Sequence, residues 1–129
     1  MIREELPYDE RYIEYIDLFN DRLYYDCHEV LEDLWLDEAL AEDRQYYKAL
    51  IQYAAALLLL FRRNHSGAAA RFQSALQYLQ PFPSTHYGLD LARIRENIRY
   101  WLEQLARNVS HTDYRDKDVP KLQLDTQIP

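Results

Sequence analysis

The segment Tyr24-Tyr25-Asp26-Cys27-His28-Glu29-Val30-Leu31-Glu32-Asp33-Leu34-Trp35 holds the side chains of this chain best suited to chemistry. His28 and Glu32 are four residues apart, so on a helix they stack on one face. That face lies beside the apolar stripe. Glu29 sits further round, next to Tyr25. An imidazole with one or two carboxylates at the edge of a core has three ordinary uses. It binds a divalent metal, it exchanges protons, or it closes a hydrogen-bonded structural pair. His28-Glu29-x-x-Glu32 falls short of the zinc-hydrolase pattern, because Glu32 stands where the second histidine is required. A metal held by His28 and Glu32 therefore needs a third ligand from another element.

Gln52 adds weight to a shared polar site. It is the strongly polar residue in Ala49 to Phe61, which reads ALIQYAAALLLLF. An unpaired buried amide costs a few kcal/mol, so Gln52 is expected to be buried and bonded to His28, Glu29 or Glu32. Asn64 lies where that apolar run ends, and with Tyr25 it completes the candidate ligand-binding set. For Asn64 a helix cap is the competing use, shared with Ser66. Other reaction classes lack their residues. No glycine-rich phosphate loop and no G-x-S-x-G elbow occur. Cys27 and His28, adjacent on a helix, point about 100° apart, which is wrong for a nucleophile and its base.

Five helices are needed to position these groups. The periodicity predicts them near 8–20, 23–37, 43–63, 67–80 and 91–108, with Asp90 as the N-cap of the last. Pro7 suits the first turn of the first helix. Asn20, which tolerates left-handed backbone angles, is expected to close it. The third helix is apolar all round over thirteen residues. That is too short to cross a bilayer, which needs roughly 20, so the helix must be wrapped by the others, and both Leu57 and Leu58 should be buried. Gly67 to Ala70 is a run of small residues that lets two helix backbones approach. The expected architecture is an all-α bundle at 1–109 with one enclosed helix, and an extended polar tail at 110–129. Val119, Leu122 and Leu124 could lay that tail across the bundle.

Composition supports one core: 129 residues, 48% hydrophobic, with 2 glycines and 5 prolines. The 12 tyrosines suit helix surfaces that are half core and half water. The net charge is −7, and the first 48 residues hold 15 acidic against 5 basic side chains. That sign argues against nucleic-acid binding, and nothing here argues for a membrane. A single cysteine and an acidic start with no secretory pattern fit a cytoplasmic protein.

The chain resembles the bacterial and archaeal family catalogued as domain of unknown function 309. The resemblance rests on Phe19-Asn20, on Tyr24 to Trp35, on Leu50-Ile51-Gln52-Tyr53-Ala54-Ala55, and on Asn64 with Gly67-Ala68. It implies a compact bundle of about five helices and no particular activity. Two readings follow. One is a structural or protein-interaction module without enzymatic chemistry, whose partner is another protein or a second copy. The other is a small-ligand or divalent-metal binding protein centred on His28, Glu29, Glu32 and Gln52. No cofactor beyond such a metal is indicated.

Overall fold

A computed structural model describes residues 7–107 and 118–125. Five helices pack together: α1 (Glu10–Asn20), α2 (Tyr24–Asp37), α3 (Ala41–Phe61), α4 (His65–Leu79) and α5 (Leu91–Ala106). Asp9, Asn64 and Asp90 cap α1, α4 and α5, each side chain accepting a first-turn N–H. Pro7 therefore lies outside α1 rather than in its first turn. Asn20 does not close α1 either. The left-handed residue is Arg22, at φ 66°, and the Asn20 amide is used elsewhere.

Successive helices run antiparallel. Arg11 of α1 reaches Asp37 at the far end of α2 (2.7 Å). Gln45 and Gln52 of α3 bond Tyr78 and Arg71 of α4. The core is centred on α3. Tyr46, Ala49, Leu50, Tyr53, Ala54, Ala56, Leu57 and Leu60 are fully buried. From α1, the Tyr15 hydroxyl donates to the Leu50 carbonyl (2.8 Å), and the Phe19 ring packs 5.3 Å from Tyr53. The enclosure is not complete. Leu57 is buried as expected, but Ala55, Leu58 and Leu59 are only half-buried.

A feature the helical periodicity does not show lies between α4 and α5. Strands β1 (Thr85–His86) and β2 (Leu89–Asp90) pair antiparallel through a two-residue turn. Both turn residues take positive φ, Tyr87 at 47° and Gly88 at 75°, the geometry that matches the twist of a tight hairpin. The hairpin closes an aromatic cluster. The Tyr12 hydroxyl lies 2.7 Å from both the Tyr46 hydroxyl and the Tyr87 carbonyl, and the Tyr87 hydroxyl donates to Asp43 (2.6 Å). His86 stacks on Tyr87 at 4.2 Å and meets Tyr46 edge-on at 4.6 Å.

The Nε2 of His86 is buried without a hydrogen-bond partner. Burial holds its pKa below the ordinary 6.5, against an opposing pull from Glu42 and Asp43. Above pH 6.5 the imidazole is neutral in the folded and unfolded chains alike. As pH falls, the unfolded chain takes the proton first. Stability is then lost as pH drops through the lower folded value. A phenylalanine keeps the ring contacts and removes the titration. Thermal melts of His86→Phe should therefore fall less steeply than those of the parent as the pH is lowered below 6.5.

Candidate functional site

Helix α2 places Tyr25, His28, Glu29 and Glu32 together on its outer side. The His28 ring lies between two carboxylates, with Nε2 3.5 Å from Glu32 Oε2 and Nδ1 3.8 Å from Glu29 Oε1. The Tyr25 and His28 rings stand 6.5 Å apart. The neighbouring Glu29 carboxylate, with a hydrogen bond from the phenol, pushes the Tyr25 hydroxyl pKa up.

This arrangement suits a metal poorly. The two imidazole nitrogens point to opposite sides of the ring, so Glu29 and Glu32 flank the histidine instead of converging with it on one point. Among the described residues no group of three or more His, Cys, Asp or Glu side chains could hold a metal ion. The third ligand that His28 and Glu32 would need is not brought to them.

Gln52 is buried, at 6% exposure, but its partner corrects the expectation. Its Oε1 accepts from Arg71 Nη1 of α4 (3.1 Å), not from His28, Glu29 or Glu32. Gln45, two helical turns earlier, also faces α4. Both amides of that row of α3 are taken up by α4. Arg71 had no signal in the sequence, being one exposed arginine on an ordinary helix face.

Asn64 stands apart too. Its Oδ1 accepts from the Gly67 N–H at 3.0 Å, which caps α4. A Cβ on Gly67 would come within 2.9 Å of that amide, so the glycine makes room for the cap. Asn64→Ala should cost about 1 kcal/mol in urea denaturation, the usual loss for such a cap. A loss near zero would remove this account of Asn64.

Cys27 is fully buried. Burial raises its thiol pKa far above the ordinary value, which makes it an inert core residue.

What α2 does present is a surface. From Leu23 to Asp43 the chain carries eight carboxylates and no lysine or arginine. Six large hydrophobic residues are exposed among the described residues, and four lie in that same stretch: Leu23, Tyr25, Leu36 and Leu40. Leu36 and Leu40 are 62% and 64% exposed. Tyr25, Glu29, Glu32 and Leu36 follow the spacing i, i+4, i+7, i+11 of one helix stripe, with Asp33 beside it. The apolar ends of the stripe are roughly 16 Å apart at 1.5 Å per residue. Several cations border this surface: Arg11 pairs with Asp37 (2.7 Å), and Arg62 lies near enough to Tyr25 to pull its hydroxyl pKa down against Glu29. Arg44 and Lys48 lie 4.2 and 4.7 Å over the Trp35 ring. Arg44 also donates to the Trp35 and Glu38 carbonyls at the end of α2.

Comparison with known proteins places the stripe in a family. The family described as "Domain of unknown function (DUF309)" matches residues 12–70. The chain carries a DUF309 domain. The matched residues run from within α1 into α4, so the DUF309 domain contains His28, Gln52, Asn64 and all of α2. It excludes the hairpin, α5 and the C-terminal segment. The chain is also similar to "Uncharacterized protein YpuF" of Bacillus subtilis (strain 168), at 32% identity over 101 residues. That match covers 76% of this chain and 58% of the relative, so the chain spans a little over half of the relative's length. No described helix of the DUF309 chain is long and apolar enough to cross a membrane.

Proposed function

We propose that this DUF309 chain is a protein-interaction module, that its docking surface is the outer face of α2, and that its partner presents a basic segment with apolar side chains at both ends. The observation that carries this reading is the coincidence of excess acid, eight carboxylates with no lysine or arginine in the same stretch and Arg11 pairing with Asp37 alone among them, with exposed apolar side chains between Leu23 and Asp43. Scattered exposed hydrophobics need no explanation, but gathered ones mark interaction surfaces. Here Tyr25 and Leu36 would anchor the ends of a partner helix. Glu29, Glu32 and Asp33 between them would face its lysines or arginines. The carboxylates steer and select such a partner, while the anchors supply most of the affinity.

Support for a small-ligand or metal site is weaker, because Gln52 turns to Arg71 and His28 sits between its carboxylates.

The test uses a synthetic helical peptide carrying a leucine at each end of one face and lysines between them. Its binding is read by fluorescence anisotropy. Tyr25→Ser with Leu36→Ser should weaken binding at least tenfold with little change in melting temperature, since both side chains are more than half exposed. Tyr100→Ser, an exposed change on α5, should leave binding unaltered. Raising the salt should weaken the parent complex further. Equal affinities for the parent and the double variant would overturn the proposal.

A further inference from the structure

Residues 118–125 lie as a strap across the bundle, outside the DUF309 match. Along 121–125 burial alternates: Lys121 exposed, Leu122 buried, Gln123 exposed, Leu124 half-buried, Asp125 exposed. That period of two is the mark of an extended strand. Asn20 at the end of α1 clamps the strand as a neighbouring strand would. Its Oδ1 accepts from the Leu122 N–H (2.7 Å) and its Nδ2 donates to the Leu122 carbonyl (2.8 Å). Further on, the Asp125 N–H donates to the Gly88 carbonyl of the hairpin (2.8 Å).

An extended chain turns the amides of successive residues to opposite edges. Since Leu122 faces Asn20, the N–H and C=O of Lys121 and Gln123 face the other way. Among the described residues these groups make no main-chain hydrogen bond. The other edge of the strap borders a cleft of about 780 Å³. Its remaining walls come from the hairpin and from Ala92, Arg93 and Ile94 of α5. That volume falls within the range of ordinary ligand pockets.

We propose that this cleft receives a short extended peptide segment, which pairs its main chain with Lys121 and Gln123 as an added strand. A row of alternating donors and acceptors at strand spacing recognises another peptide backbone. Side chains of such a guest would point alternately towards the α5 wall, where Ala92 and Arg93 are exposed, and towards solvent. The site is separate from the α2 surface and would serve a different ligand.

The probe is a pool of pentapeptides, blocked at both ends and randomised at every position, added to the full-length ¹⁵N-labelled protein. The Lys121 and Gln123 amide resonances should shift with added pool, while the Leu122 amide, held by Asn20, should move far less. A second pool with N-methyl groups on its second, third and fourth residues lacks the pairing N–H in either register and should give little or no shift. Gln123→Pro removes one donor without touching the Asn20 clamp, and should reduce the shift at Lys121 at least threefold. The proposal is overturned if the first pool leaves both amides unmoved. It is equally overturned if the methylated pool moves them as much.

Discussion

Leu57→Ala is expected to destabilise the chain by about 3 kcal/mol in urea denaturation, and Leu58→Ala by about 1 kcal/mol. Both leucines belong to the apolar run of α3, and nothing in their composition separates them. Burial separates them, because Leu57 has no exposed surface while Leu58 is half-buried. Leu57 is surrounded, so its truncation leaves a cavity that a close-packed core relaxes around only in part. Beside Leu58, water can enter the space left behind, and only the transfer cost is felt. Equal losses at the two positions would mean that α3 is enclosed uniformly on all sides.

Asn97→Ala should cost about 2–3 kcal/mol. The side chain is 8% exposed and joins three parts of the fold. Its Oδ1 accepts from the Tyr53 hydroxyl of α3 (2.6 Å), and its Nδ2 donates to the Asp118 carbonyl at the start of the strap (2.8 Å). Truncation strands a phenol in a fully buried position and removes one of the strap's ties. Tyr53→Phe alone should cost about 1 kcal/mol. Added to Asn97→Ala it should recover about 1 kcal/mol of the loss, because the stranded hydroxyl is gone. Strict additivity in that double-mutant cycle would contradict the Tyr53–Asn97 bond.

The helices were legible in the sequence because periodicity and caps are local. The stripes of α1, α2 and α5 face the core, and Asp90 caps α5 as its position before Leu91 suggested. What stayed hidden depends on distance or on conformation. The hairpin turns on Tyr87 in the left-handed region, a conformation tyrosine gives no reason to expect. Asn20 looked like a helix terminator, but its amide bonds Leu122, 102 residues away. For Gln52, periodicity shows that the amide is buried. It does not show which neighbouring helix lies against that row of α3, and Arg71 rather than the α2 edge supplies the partner. The polar candidates on α2 lie together, His28 3.8 Å from Glu29 and 3.5 Å from Glu32, the latter as an i, i+4 spacing on one helix requires. The exposure of Leu36 and Leu40 has no signal in the sequence, because a lone leucine in an acidic stretch reads as ordinary.

The docking surface on α2 is tested most directly by a ¹H–¹⁵N spectrum of the full chain, titrated with the leucine-and-lysine helical peptide at physiological salt. The amide shifts should concentrate on Tyr25, Glu29, Glu32, Asp33, Leu36 and Leu40. The acidic residues of α1 and α5, such as Glu14, Asp17, Glu96 and Glu103, should stay nearly still. Shifts spread over all these carboxylates would show that the protein attracts the peptide through net charge alone, and would contradict a docking surface built on α2.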